Sequence, residues 1–191
     1  MSAVAIIPIK IHRIGEKDAA RAYDQWGCNC GPGAIAAICH LTLDEVRPLM
    51  SGFEKKGYTN PTMMIEALDR LGVPWRVRGL ASNVPKLDFP KYGIARIQWE
   101  GPWSAPGANP RWGYRHTHWV GAARKIDTVE IFDINCVQNG SGWVDLLDWS
   151  EMVVPWILKS CVPRASGRWH ITHAIEVEPP FGYSAGKGRL T

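Results

Sequence analysis

The chain has 191 residues, 46% of them hydrophobic and 21% charged, with a formal net charge of +4. This is a globular composition that excludes a disordered chain, and the length suits one domain burying roughly 70% of its unfolded surface. No lysine and arginine run argues for nucleic acid, and no window approaches the ~20 apolar residues of a membrane span.

In chain order, residues 6–14 read as an extended lead-in and residues 16–23 as a short helix or irregular arm. The apolar stretch at residues 3–9 lacks a basic region before it and is broken by Pro8, so it is not read as a secretion signal. Residues 30–39 are nearly all apolar and predict a helix buried on most sides. Thr42-Leu43-Asp44-Glu45 forms a capping box that opens a second helix. Asn60-Pro61 starts a third, which runs to about Leu71 and stops at Gly72. Strands are expected at residues 75–77, 93–99, 119–123 and 129–134. Between them, residues 100–115 are rich in Gly, Pro and Trp and predict a long loop. Asp148 is expected to cap a last helix through Leu158, residues 170–177 to form a final strand, and residues 179–191 to be a loose tail. Helices first and a mostly antiparallel sheet afterwards make the expected class α+β, with one domain over residues 1–178.

The five cysteines, Cys28, Cys30, Cys39, Cys136 and Cys161, are an odd and irregularly spaced set. They make a poor disulfide framework, so reduced thiols and a cytoplasmic setting are expected. Cys30 heads the apolar helix and is followed by Gly31-Pro32. Free N–H groups and the positive end of the helix dipole favour thiolate there, which makes Cys30 the candidate nucleophile. Cys28, in the preceding loop, is the alternate.

His118 opens a strand, where an imidazole is held rigidly with one edge toward a cleft, and it is the candidate general base. His116, two residues earlier, shares its strand face and stays open as an alternate. The group that orients the imidazole should lie at the end of the next strand. Asp133 is the first candidate and Asn135 the competitor. Two further readings stand beside these. Cys28, Cys30, His116 and His118 together offer four N/S ligands, which would suit a tetrahedral zinc module. The tryptophan-rich loop at residues 100–115 is expected to wall the cleft.

The segments Gln25…Asn29-Cys30-Gly31-Pro32-Gly33-Ala34-Ile35, His118-Trp119-Val120 and Asp133 resemble the papain-like cysteine peptidases. Within them they resemble most the bacterial leader peptidases that process double-glycine peptides, and their stand-alone relatives. The similarity covers residues 24–38 and 118–135. It implies a papain-like fold with N-terminal helices on an antiparallel sheet, a Cys30–His118–Asp133 triad, a peptide or protein substrate and no cofactor or metal. It also implies Gln25 as the oxyanion-hole donor. Here Gln25 stands five residues before Cys30 where that branch has its glutamine six before, and Asn29 stands where the branch has Asp. The alternative within this resemblance is a catalytically idle papain-like domain used for binding or assembly, carried by a phage or mobile element. Delivery to another compartment by such a system belongs to the same alternative.

Overall fold

The computed structural model describes residues 14–80, 85–109, 111 and 116–178. The expected lead-in before Ile14, His12 within it, the tail at residues 179–191 and Trp112 lie outside these residues.

Helix α1 (Glu16–Trp26) turns Trp26 inward, edge-on to Phe53 at 5.6 Å, and ends at Gly27, whose φ of 70° suits a residue without Cβ. Helix α2 (Cys30–Cys39) is buried along most of its length, as its unbroken apolar sequence requires. The capping box is present: Thr42 Oγ1 accepts from Glu45 N, and Glu45 returns a bond to Thr42 N, opening α3 (Leu43–Val46). A 3₁₀ turn at Arg47–Leu49 and α4 (Phe53–Lys56) follow. Asn60 caps α5 (Pro61–Arg70) by accepting from Met63 N at 2.9 Å.

The chain then enters the sheet through β1 (Trp75–Val77), with α6 (Pro85–Asp88) leading to β2 (Tyr92–Trp99). Next come a 3₁₀ turn at Pro102–Ser104, β3 (Thr117–Arg124) and β4 (Val129–Phe132). A 3₁₀ helix at Ile134–Asn139 leads to β5 (Trp143–Asp145). The last elements are α7 (Leu146–Asp148), a π-helical turn at Trp149–Val153, α8 (Val154–Cys161) and β6 (Trp169–Val177).

The six strands lie in the order β1-β6-β2-β3-β4-β5, every neighbouring pair antiparallel. The class is α+β. Alternation along the strands feeds two cores, one on each face. Ile94, Trp119, Ala123 and Phe132 pack against α1, α2 and α5, with Ile35, Ile38 and Met64. Ala95, Ile97, Val120, Ala122 and Ile131 face the other way, toward Trp149, Val154 and Ile157. Tyr92 Oη donates to the Ile38 carbonyl at 2.8 Å and ties the end of α2 to the sheet.

Three expectations shift. The strand expected through residue 134 ends at Phe132, because Asp133 accepts from Asn135 N and caps a 3₁₀ turn instead. The last helical region starts earlier than expected, capped by Asp145 rather than Asp148, with Asp145 accepting from Leu147 N at 2.9 Å. Strand β5 was not anticipated. No helix among the described residues is long and apolar enough to cross a membrane.

Candidate active site

The approach to Cys30 is built by α1 and a short loop. Asn29 does not cap α2. Its Nδ2 donates to the Ala19 carbonyl at 2.9 Å, which pins the loop against α1. The Gly33 N–H bonds back to the Asn29 carbonyl at 2.8 Å and Pro32 has no N–H, so the Cys30 and Gly31 N–H groups remain at the helix mouth. Cys30 lies where two clefts meet, one of about 810 Å³ and one of about 550 Å³.

Strand β3 supplies the base. Residues 116, 118 and 120 turn their backbone polar groups toward β2, so those of Trp119 point the other way, where pairing with β4 begins only at Gly121. The Trp119 N–H, left free by the short β4, is given to the Cys30 sulfur. The preceding side chain, His118, hydrogen-bonds the same sulfur. His118 Nε2 is 2.9 Å from Asp133 Oδ2, which leaves Nδ1 for Cys30.

Asp133 is fully buried and saturated with donors. Oδ2 accepts from His118 Nε2 and from Trp149 Nε1, both at 2.9 Å. Oδ1 accepts from the backbone N and the Nδ2 of Asn135, at 3.0 and 2.9 Å. Asn135 is therefore a support of Asp133 and not the group on the imidazole. An aromatic wall backs the pair. Trp99 stacks on His118 at 5.9 Å and 22°, and Trp149 stacks on Trp99 at 6.0 Å and 26°.

The electrostatics follow from this packing. Burial opposes a Cys30 thiolate, but the hydrogen bond and charge of His118 and the Trp119 N–H outweigh it, so the thiol falls below its ordinary value. Burial also opposes a charged His118, yet the charge and hydrogen bond of Asp133, then Cys30, hold the imidazole well above its ordinary range. Asp133, despite its burial, is held below the carboxylate range by His118, Trp149 and Asn135. Cys28, Cys39 and Cys136 are instead pushed up to about 12, in each case chiefly by burial. Cys28 is a thiol at neutral pH, and Cys30 is the sulfur poised to ionise.

The remaining candidates stand outside the Cys30–His118–Asp133 line. His116 packs its ring on Trp103 at 3.8 Å and does not join Asp133. Gln25 is exposed on α1 and lines neither cleft at Cys30, which corrects its expected place in the oxyanion hole. Trp26 takes the inward direction, against Phe53, and the next side chain back along a helix then points about 100° away. The zinc arrangement also fails, because no three His, Cys, Asp or Glu side chains among the described residues come together in a way that could hold a metal. Of the tryptophan-rich loop, Trp103 donates Nε1 to the Trp99 carbonyl at 2.7 Å, and Arg111 lines the larger cleft.

Comparison with family models, with curated proteins and with solved structures returns no match. The functional reading accordingly rests on the geometry.

Trp149 was invisible from sequence as a part of this site. Gly31 and Gly33 were legible as helix-entry residues, and the structure gives them a second reason. A Cβ on Gly31 would lie 2.3 Å from Thr59 Oγ1, and one on Gly33 2.7 Å from Ile134 Cδ1. The residue beside Asp133 and the loop before α5 both close on the first turn of α2 through these gaps. Gly31→Ala is expected to cost about 1–3 kcal/mol in denaturant unfolding, as overpacking does, and to slow alkylation of Cys30. An unchanged alkylation rate would mean that Thr59 yields without disturbing the helix mouth.

Proposed function

We propose that this protein is a cysteine hydrolase of papain-like type, a peptidase or amidase working through Cys30, His118 and Asp133. The supporting observation is that a half-buried sulfur at a helix mouth is hydrogen-bonded to an imidazole whose far nitrogen is fixed by a buried carboxylate. The thiolate attacks a carbonyl carbon, and the resulting oxyanion faces the N–H groups of Cys30 and Gly31. His118 Nδ1 gives its proton to the departing amine, leaving a thioester on Cys30. Water, deprotonated by the same nitrogen, attacks the thioester and releases the acid with the free thiol.

Labelling with an iodoacetamide probe near neutral pH, followed by peptide mapping, tests the nucleophile. Modification should fall on Cys30 and vanish in Cys30→Ala, while Cys28→Ala labels as before. Preferential labelling of another cysteine would overturn the assignment. One observation favours the idle-domain reading: with Gln25 exposed, the oxyanion has backbone donors and no identified side-chain donor, and one such donor is worth roughly 3 kcal/mol of barrier. Rapid labelling of Cys30 without turnover of any peptide in a mixed-sequence library is the outcome that selects that reading.

A further inference from the structure

The two clefts that meet at Cys30 differ in chemistry. The smaller is lined by His118 and His116, by Glu16 and Gln138, and by apolar side chains that include Ile134, Trp156 and Ile157. The larger has a floor built from three adjacent strands: His173 of β6, Arg96 of β2, and Thr117 and Trp119 of β3. The register places Arg96 opposite both His173 and Trp119. Arg96 is only 4% exposed, and its Nη2 donates to Thr117 Oγ1 at 3.2 Å. Arg111, itself exposed, brings a second guanidinium to the same cleft. No Asp or Glu is found among the described residues that line it. Burial, and then the charge of Arg96, draw His173 below its ordinary value, so at neutral pH the positive charge of the cleft is carried by the arginines.

On the hydrolase reading, catalysis fixes which half of a substrate each cleft receives. The departing nitrogen must face the imidazole that protonates it, and His118 lines the smaller cleft but not the larger. The acyl half, which stays on the sulfur, runs over Arg96. A guanidinium at the floor of a cleft attracts a carboxylate by its charge and by a charge-assisted hydrogen bond, and desolvation strengthens both.

We propose that the larger cleft selects an acidic side chain on the acyl side of the scissile bond, held by Arg96 at the floor and Arg111 at the entrance. This rests on the hydrolase reading and adds the substrate class. A buried like charge is rejected as strongly as the opposite one is favoured, so a lysine in the same place is the poorest fit.

Peptidyl acyloxymethyl ketones test this on the full chain. The Cys30 thiolate displaces the carboxylate leaving group at the methylene carbon and forms a thioether, so each event adds a fixed mass. The panel carries Asp, Glu, Asn, Gln, Lys or Phe at either of the two residues next to the reacting carbonyl, and rates are read by intact mass. Asp or Glu should react about tenfold or more faster than Asn or Gln, in line with hydrogen bonds to charged groups, with Lys slowest. Arg96→Gln should bring the acid-to-amide ratio close to one. Arg111→Glu, at an exposed position where folding is not at stake, should lower it severalfold. Labelling of Cys30 with no acid preference overturns this inference and leaves the hydrolase intact. A preference untouched by both variants also overturns it. Failure of every probe to label Cys30 removes the hydrolase reading, and this one with it.

Discussion

Replacing His118 with alanine is expected to reduce hydrolysis roughly 10⁴–10⁶-fold, the scale at which removal of one member of a nucleophile–base pair disables it. The physical reason lies in the balance at the sulfur. Burial alone pushes a thiol up, as it does Cys28 and Cys39, both raised to about 12. Cys30 escapes because His118 donates to it and carries a positive charge beside it. Without the imidazole, burial is opposed only by the Trp119 N–H. The pH dependence has a definite sign. A thiol whose value is lowered becomes thiolate at lower pH than usual, and an imidazole whose value is raised keeps its proton to higher pH than usual. The ion pair therefore holds across a plateau that extends below the ordinary thiol range and above the ordinary histidine range. Alkylation of wild-type Cys30 should be flat across that plateau and fall on the acid side as the thiolate takes a proton. In His118→Ala the acid edge moves up, so that alkylation at pH 6–7 drops by at least about 10²-fold and recovers only in strong base. Wild-type-like alkylation of His118→Ala at pH 6 would mean that the sulfur is ionised by something other than the imidazole.

How much of this was readable in advance depended on how locally each feature is encoded. Cys30 was legible because a glycine–proline entry and an alanine-rich run specify a buried helix start without help from distant residues. His118 and Asp133 were legible because an antiparallel turn of this length brings the end of one strand back beside the start of the other. Gln25 was misplaced because the end of α1 is set by Trp26 docking on Phe53, a contact across 27 residues of sequence. Arg96 was hidden for a different reason. Arg96 and Gln98 alternate with Ile97 and Trp99, the pattern of any half-exposed strand, whereas β2 is central and buried at every position, so the sequence does not mark Arg96 as lining a cleft. Strand β5 is three half-buried residues, too short to leave a periodic signal. Trp149 reaches Asp133 from a π-helical turn in the layer on the opposite face of the sheet, and no spacing rule links the two.

That distant tryptophan makes the choice of orienting residue testable. Thiol hydrolases can place either a carboxylate or an amide behind the histidine, and Asp133 and Asn135 were both candidates. The donors decide between them. Asp133 receives four hydrogen bonds: from His118 Nε2, Trp149 Nε1, and the backbone N and Nδ2 of Asn135. A carboxylate has acceptor sites for all four, whereas an amide offers one oxygen and turns an NH₂ toward the remaining donors. Asp133→Asn should therefore behave like Asp133→Ala, each losing roughly 10²–10⁴-fold in hydrolysis, because the imidazole is no longer held in its tautomer or charged by its partner. Asn135→Ala should cost less than about tenfold, since Oδ1 keeps the backbone N–H. Trp149→Phe keeps an aromatic ring in the wall and removes only the N–H. Losing one donor to a buried carboxylate costs on the order of 1–3 kcal/mol. For this positioning residue the diagnostic readout is the basic limb of the pH–rate profile. Without that donor Asp133 is a more basic partner, it holds the imidazolium more strongly, and that limb moves to higher pH. An unmoved limb in Trp149→Phe, or a larger loss from Asn135→Ala than from Asp133→Ala, would show that the imidazole answers to a different partner.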